Sequence, residues 1–213
     1  MTDGELALSP LCLIVPGLHD SGPGHWQTIW ERERHDCVRV QLGMWSDPVR
    51  NVWISRIDQA VGAAQGPVVL VAHSLGCHSV LWWASLLGEE ARGNVVGALL
   101  VAPPDVDRLG ADRRVERFAP APKSILPFPT TVVASSDDPW SATERSEELA
   151  AAWGADFVLL DQAGHINAES GFGSWREGQD LLERLLDVRP RTPAASGWRA
   201  RAAAAPAHQP SAR

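Results

Sequence analysis

Short apolar segments that alternate with helix-like segments constrain the fold of this 213-residue chain most strongly. Most of them lack the polar alternation of a sheet with one solvated face, which indicates strands buried on both faces. A parallel crossover needs about a dozen residues or more, and the intervening helices supply that length. Strands are predicted over residues 11–15, 38–42, 67–72, 95–102, 130–135 and 156–160. The sequence therefore predicts a three-layer α/β domain with a mostly parallel six-stranded sheet and no large lid domain.

The segments between these strands are typical of helices, because apolar residues recur in them at spacings of three and four. Ser141 precedes one such segment and Glu144 follows it by three residues, so we expect Ser141 to be the N-cap. Gly88 and Gly154 are the expected helix ends. Helices are predicted over residues 25–35, 52–64, 75–88, 141–154 and 173–188.

Two segments interrupt this alternation. Residues 103–129 form a proline-rich connection between two predicted strands. It is either a functional loop or small cap, or a crossover that contains one short helix. Residues 189–213 are rich in Ala, Pro and Arg and show no periodicity, so we expect a disordered tail after a domain of residues 1–188.

Charge and cysteine content exclude several classes of function. The chain has 26 acidic and 19 basic residues, a net charge of -7, which disfavours nonspecific nucleic-acid binding. No apolar run approaches the roughly 18 residues of a membrane helix. The N-terminus has no basic segment before a hydrophobic one, which argues against a secretory signal. Three widely spaced cysteines indicate neither a disulfide framework nor a zinc site. We expect a cytoplasmic protein with no nucleic-acid or membrane partner, and the sequence indicates no protein partner.

Residues able to catalyse acyl transfer follow three of the predicted strands, at the sheet edge where ligands bind. Ser74 follows the third strand in "LVAHSLGC", Asp137 and Asp138 follow the fifth, and His165 follows the sixth. A serine hydroxyl is a weak nucleophile that needs a base, and a histidine base needs an acid to fix its tautomer. The chain order Ser, Asp, His is that of an α/β-hydrolase triad.

Ser74 is the predicted nucleophile, at a sharp strand-to-helix turn called a nucleophile elbow. Gly76 satisfies the need for a small residue two places after it, whereas Ala72 stands where glycine is expected two places before. The alternative is that Ser74 only caps the following helix. Cys77 is a rival nucleophile, but a buried helical cysteine is the better interpretation.

Asp138 is the preferred acid, because Pro139 follows it and stiffens the turn after the strand. Asp137 is kept in reserve, since adjacent side chains should point in different directions. Asp105 and Asp107, after the fourth strand, are a second reserve. The alternative role for Asp137 and Asp138 is negative charge ahead of the next helix.

His165 is the predicted base, because outside the tail it is the only histidine that follows the final strand. The alternative is that His165 orders its own loop. His19 and His25 lie in the first loop, near the predicted site. His73 is expected to point away from Ser74, its neighbour in the chain. The remaining histidines are expected outside the site (His35, His78 and His208).

Two backbone amides should hold the oxyanion of the reaction. Leu75, directly after the nucleophile, supplies one, and Leu18 or His19 in the first loop supplies the other. The alternative is that the first loop is only a turn-rich connection. His19 and Trp140 are predicted to line the substrate pocket. Three tryptophans beside the site loops are candidates for an apolar acyl pocket, although core packing is the alternative (Trp26, Trp140 and Trp175).

The segments "PGLHDSGPGHWQ", "AHSLGC", "VAPPDVDR", "LPFPTTVVASSDDPW" and "GHINAESGFGSW" together resemble the small serine hydrolases of the retinoblastoma-binding-protein-9 and YdeN type. The resemblance covers about residues 11–188 and implies a three-layer α/β-hydrolase fold. It implies a catalytic triad of Ser74, Asp138 and His165, and an oxyanion donor near Leu18. It also implies that Ala72 is no anomaly, because family members often have a residue other than glycine two places before the nucleophile. The leucine-x-cysteine-x-glutamate motif of eukaryotic relatives is missing, so the retinoblastoma protein is not expected as a partner.

The sequence as a whole predicts an esterase-like serine hydrolase. Its expected partner is a small-molecule ester or amide, and its reaction needs no metal or organic cofactor. Two alternatives stay open: a non-catalytic binding protein on a hydrolase scaffold, and an acyltransferase or lyase on the same fold.

Overall fold

The structure is a computed structural model that describes residues 9–187. The predicted tail at residues 189–213 lies outside the described residues. Six strands form one sheet in the order β2-β1-β3-β4-β5-β6, and every neighbouring pair is parallel. The strands are β1 (Leu11–Val15), β2 (Cys37–Arg39), β3 (Val68–His73), β4 (Val95–Val101), β5 (Thr130–Ser135) and β6 (Asp156–Leu160). The predicted mostly parallel six-stranded sheet is confirmed.

Helices cover both faces of this sheet. They are α1 (Trp26–Glu33), α2 (Arg50–Ala63), α3 (Leu75–Leu87), α4 (Arg113–Glu116), α5 (Thr143–Trp153) and α6 (Arg176–Asp187). Apolar residues of α2, α3 and α5 belong to the larger core cluster, whereas those of α1 and α6 belong to a second cluster on the opposite face. None of the helices among residues 9–187 is long and apolar enough to cross a lipid bilayer.

Alternate residues of the central strands enter opposite cores, which explains their unbroken apolar sequence. In β3, Leu70 and Ala72 pack into the larger cluster, whereas Val69 and Val71 pack into the second one. All four side chains are at most 1% exposed. Both faces of the strand are therefore buried, as the sequence predicts.

The two edge strands differ from the prediction. The segment 38–42 forms a strand only over Cys37–Arg39, although Val40 still donates a hydrogen bond to the carbonyl of Ile14. The last strand, β6, is only partly buried, and Leu159 is 45% exposed. An apolar sequence therefore does not distinguish an edge strand from a central one.

Two helices begin two or more residues later than predicted. The prediction of Ser141 as an N-cap is wrong, because α5 begins at Thr143 after Ala142 and Ser141 instead accepts a hydrogen bond from Ser146. The closing helix α6 begins at Arg176, and a loop occupies the preceding residues.

The connection between β4 and β5 is a crossover with one short helix, α4, rather than a separate cap. Phe118, Leu126 and Phe128 of this segment are buried in the larger core cluster. Buried side chains anchor the connection against the sheet. Its residues nearest the site can therefore form a fixed wall.

Candidate active site

Ser74 occupies a sharp turn between β3 and α3. Its backbone has φ 53° and ψ -126°, a conformation that non-glycine residues rarely adopt. Such strain persists only where surrounding structure imposes it, and it is common at functional sites. Ser74 precedes α3, but its side chain makes no capping hydrogen bond within the described residues. The helix-cap alternative for the serine side chain therefore has no support.

Two glycines allow the chain to pack closely around Ser74. A Cβ atom on Gly76 would lie 2.5 Å from the carbonyl oxygen of Pro16, far inside van der Waals contact. A Cβ atom on Gly17 would lie 2.8 Å from the Cβ of Ser74. The first loop therefore runs directly against the elbow. Ala72 is fully buried in β3, so its methyl group is accommodated.

Ser74, His165 and Asp138 form a continuous hydrogen-bonded line. The Nε2 of His165 lies 2.9 Å from the Oγ of Ser74. The Nδ1 of His165 lies 2.9 Å from both carboxylate oxygens of Asp138. The side chains of His165 and Asp138 are only 11% and 3% exposed. The structure thus brings together the three residues that the sequence predicts as a triad.

The partners of the two ring nitrogens determine the tautomer of His165. An ionised carboxylate can only accept hydrogen bonds, so Nδ1 carries the ring proton and its N–H donates a hydrogen bond to Asp138. Nε2 is then free to accept the hydroxyl proton of Ser74. The arrangement can remove a proton from the serine and fix the orientation of the imidazole.

The two adjacent aspartates have different partners. Asp138 also accepts a hydrogen bond from the backbone N–H of Trp140, at 2.9 Å. Asp137 points elsewhere and accepts hydrogen bonds from Ser135 Oγ and from the backbone N–H of Gly164, both at 2.7 Å. These two hydrogen bonds, with the one from Ser135 as the larger cause, hold the pKa of Asp137 below its ordinary value. Asp137 therefore shapes the loop before His165.

Buried donors fix the loop that carries His165. The indole Nε1 of Trp26 donates to the carbonyl of Ile166 at 2.8 Å, and that of Trp30 donates to the carbonyl of Ser174 at 2.7 Å. His73 donates from Nε2 to the carbonyl of His165 at 2.9 Å. His73 makes no hydrogen bond to Ser74 among the described residues, yet it supports the proposed base. The sequence contains no signal for this contact, because the two residues are 92 positions apart.

Gln27 is a further supporting residue that sequence reasoning missed. Its side chain is fully buried, accepts a hydrogen bond from Ser21 Oγ at 2.7 Å, and donates to the carbonyl of Val71 at 3.0 Å. It thereby joins the first loop to the end of β3. The buried glutamine in "HWQ" falls on the apolar side of α1, which is the only sequence signal for it.

The backbone amides of Leu18 and Leu75 are the predicted oxyanion donors, and both belong to segments that meet at Ser74. Leu75 is the first residue of α3, and Leu18 follows Gly17, whose Cβ position would be 3.1 Å from the nitrogen of Leu75. Neither amide donates a hydrogen bond to another group among residues 9–187. Helix N-termini with free N–H groups favour negative charge.

A cavity of about 280 Å³ opens at Ser74. His19 and Trp140 line it, as predicted. Of the three tryptophan candidates for an acyl pocket, Trp26 and Trp175 do not line this cavity, because both are at most 3% exposed and belong to the second core cluster, in line with the core-packing alternative. The short helix α4 contributes Val115 to the cavity wall.

The rival catalytic residues lie in other networks. Asp105 and Asp107 form ion pairs with Arg145, at 3.1 and 2.6 Å. Cys77 is fully buried, its thiol donates to the carbonyl of Val101 at 3.4 Å, and burial raises its pKa well above the ordinary value. A neutral, enclosed thiol is a poor nucleophile. Among the described residues, no group of three or more His, Cys, Asp or Glu side chains is placed to hold a metal ion.

Three buried histidines are held neutral. Burial lowers the pKa of His25 to about 4, with smaller effects of Arg39 and His165. Burial is also the main cause that lowers the pKa of His78 to about 4 and that of His73 well below its ordinary value. A neutral His73 can still donate its Nε2–H to the carbonyl of His165.

These lowered pKa values predict acid-sensitive folding. The unfolded chain binds protons at His25 and His78 near pH 6.5, whereas the folded protein binds them only near pH 4. The stability is therefore complete above about pH 6.5 and decreases as the pH falls toward 4. Each pKa unit corresponds to about 1.4 kcal/mol, so protonation of each histidine lowers the free energy of unfolding by up to about 3 kcal/mol at pH 4.

Urea unfolding at pH 7, 6 and 5 measures this slope. His78→Gln should flatten it, because a glutamine side chain takes up no proton on unfolding. Glutamine also retains a donor toward the carbonyl of Pro104, which now accepts from His78 at 2.7 Å. Replacing the exposed His35 by glutamine is the matched control. Parallel pH profiles for wild type and His78→Gln would contradict the expectation.

Comparison with known proteins places the chain among hydrolases. The sequence model of a protein family described as "Serine hydrolase" matches residues 12–184. No curated protein matches in sequence. A YdeN-like hydrolase from Pectobacterium atrosepticum is 31% identical, with a TM-score of 0.74, over 84% of this chain and 92% of the other.

Two more distant structures show the same fold. The ydeN gene product of B. subtilis is 20% identical, with a TM-score of 0.67, over 83% of this chain and 98% of its own. Est1E from Butyrivibrio proteoclasticus is 16% identical, with a TM-score of 0.61, over 83% of this chain and 88% of its own. The overall α/β fold of this chain is therefore shared by these two structures.

Proposed function

Because the chain belongs to the serine hydrolase family of the α/β-hydrolase superfamily, we propose that it cleaves a carboxylic ester, or an amide, through an acyl-enzyme on Ser74. The observation that supports this most is the unbroken line from Ser74 Oγ through His165 to Asp138, with 2.9 Å at each step. The small-molecule substrate is the only partner that this proposal includes. A cytoplasmic location belongs to the same proposal and is supported by the sequence features alone.

In the first step, Ser74 Oγ attacks the carbonyl carbon of the substrate while His165 Nε2 takes the hydroxyl proton. The carbonyl π electrons move to the oxygen and form a tetrahedral oxyanion. The N–H groups of Leu18 and Leu75 stabilise this negative charge. Asp138 holds Nδ1–H and stabilises the imidazolium that forms.

In the second step, the tetrahedral intermediate collapses and the bond to the leaving group breaks. His165 Nε2 donates its proton to the departing alcohol or amine, which leaves an acyl ester on Ser74. Water then attacks the acyl carbon, and His165 takes its proton. Collapse of the second intermediate releases the carboxylic acid and returns the proton to Ser74. Every proton transfer in this cycle uses a side chain of this protein.

A substrate panel tests this function. Nitrophenyl acetate and butyrate, the corresponding nitroanilides, and each ester with an added alcohol or amine acceptor are incubated with the enzyme. We expect saturable ester hydrolysis that yields free carboxylic acid, with nitroanilides cleaved more slowly. Acyl transfer to the acceptor without free acid would indicate an acyltransferase. Absence of any turnover would favour a binding protein on the same scaffold.

A further inference from the structure

The cavity at Ser74 has two chemically different walls. Val115 and Trp140 form one, which we call the apolar wall. His25, Asn167 and Glu169 lie on the other, which we call the polar wall. Ser74 and His165 lie between them. A substrate that fits both walls must itself have an apolar part and a polar part.

The crossover connection and the loop after β5 build the apolar wall together. The backbone N–H of Asp105 donates to the carbonyl of Trp140 at 3.0 Å, and Arg108 donates to the carbonyl of Pro139 at 3.1 Å. Val115 is only 3% exposed and is packed in the larger core cluster. This wall is therefore fixed in position and has little space behind it for a long chain.

The first loop and the segment after His165 build the polar wall together. A Cβ atom on Gly24 would lie 3.8 Å from the Cβ of Ala168, so the two segments are in contact. Glu169 is exposed at the rim and forms no ion pair with another described residue. Its carboxylate can therefore accept hydrogen bonds from a bound molecule.

His25 adds an unused donor to the polar wall. Its Nδ1 accepts the backbone N–H of Gln27 at 3.1 Å, so the proton of the neutral ring lies on Nε2. This Nε2 is buried and has no hydrogen-bond partner among the described residues. A buried donor without an acceptor is costly and is rare in folded proteins. An additional polar group at this wall would lower that cost.

We propose that the substrate is an ester of a short acyl chain with a small alcohol that carries further hydroxyl groups. This inference rests on the proposed function and assigns the acyl chain to the apolar wall and the alcohol to the polar wall. The cavity of about 280 Å³ lies below the range of about 300–1,000 Å³ that is usual for drug-sized ligands. Both parts of the substrate are therefore small.

The path of the proton determines which part meets which wall. The oxygen of the leaving alcohol receives its proton from His165 Nε2, so the alcohol must lie beside His165. Asn167 and Glu169 follow His165 in the same loop and line the cavity. The oxyanion faces the amides of Leu18 and Leu75, and the acyl chain takes the remaining side, against Val115 and Trp140.

Two pairs of esters test the inference on the full-length enzyme, with release of acid measured by titration. The first pair, 2,3-dihydroxypropyl butyrate and propyl butyrate, differs only in the hydroxyl groups of the alcohol. The second pair, nitrophenyl butyrate and nitrophenyl octanoate, differs only in acyl length. We expect kcat/KM to favour the dihydroxypropyl ester and the butyrate, each by about tenfold or more.

Variants of each wall should change one preference and not the other. Val115→Ala should improve octanoate relative to butyrate by about tenfold and leave the alcohol preference in place. Glu169→Leu should reduce the preference for the dihydroxypropyl ester. Glu169→Gln keeps an acceptor oxygen and should retain most of the wild-type preference. Glu183→Leu, on the exposed side of α6, is the matched control.

Each outcome supports or overturns the inference. Equal or reversed preferences in the wild type would overturn it, and so would variants with crossed effects, in which Glu169→Leu changes acyl length preference. The proposed function fails in a different way, through the absence of any ester hydrolysis that depends on Ser74. Hydrolysis that depends on Ser74 but favours propyl butyrate over its dihydroxypropyl analogue, and nitrophenyl octanoate over nitrophenyl butyrate, would reject this substrate class alone.

Discussion

Replacing Ser74 by alanine should lower kcat/KM for nitrophenyl butyrate by at least about ten-thousandfold, because no other group among residues 9–187 is placed to form the acyl-enzyme. Cys77, the nearest thiol in the chain, is buried, and its raised pKa keeps it protonated. His165 would retain its bond to Asp138 but would have no hydroxyl to deprotonate. Residual activity would come only from the cavity and the oxyanion amides.

The fold should survive this substitution, since Ser74 Oγ makes no capping bond within the described part of the chain. Circular dichroism and the urea midpoint of Ser74→Ala should match those of the wild type. Ser79→Ala is a matched control on the same helix, where the hydroxyl only donates to the carbonyl of Leu75 at 3.3 Å. It should remain active within a few-fold. A purified Ser74→Ala protein with wild-type turnover would contradict the assignment of Ser74.

Asp138→Asn should lower kcat by about 10⁴-fold, the size of effect known when the aspartate of a serine-protease triad is replaced by asparagine. The asparagine can keep the hydrogen bond from the N–H of Trp140, so the turn is retained. Its NH₂ group, however, favours a His165 tautomer with the proton on Nε2. That tautomer cannot accept the proton of Ser74.

Asp137→Asn is the matched control, because the two aspartates are adjacent and only one contacts His165. Its amide oxygen can still accept the N–H of Gly164, so we expect a loss of about tenfold or less. Steady-state kinetics of both variants at pH 8 make the comparison. A larger loss of activity in Asp137→Asn than in Asp138→Asn would contradict the assignment of Asp138 as the acid.

The sequence predicts the sheet well because its central strands are buried on both faces, and an apolar run without polar alternation satisfies that environment. It predicts the edges less well. Leu159 is apolar but nearly half exposed, and the strand predicted over residues 38–42 ends at Arg39. The exposure of an edge strand depends on the order of the strands in the sheet. The sequence of one segment does not encode that order.

The candidate site shows the same division. The order of Ser74, Asp138 and His165 follows from where the parallel strands end, so the sequence indicates it directly. The choice between Asp138 and Asp137 needs the side-chain directions after β5. The supporting contact of His73 depends on the path of the loop after β6. Long-range contacts of this kind have no local pattern.

Tryptophan placement is the least predictable part of the site. Trp26, Trp140 and Trp175 all lie beside the predicted site loops in the chain, but only Trp140 lines the cavity. Trp26 and Trp175 pack edge to face, with ring centroids 5.0 Å apart, under the loop that carries His165. A large aromatic side chain fits a pocket and a core equally well, and only tertiary packing distinguishes the two.

The central claim is that Ser74 is an activated nucleophile, and covalent labelling of the native protein by a fluorophosphonate tests it most directly. Intact-mass measurement and peptide mapping identify the site and stoichiometry of the adduct. We predict one adduct per chain, located on Ser74, absent from Ser74→Ala and formed far more slowly in Asp138→Asn. No adduct on the wild type, or the same adduct on Ser74→Ala, would contradict the claim.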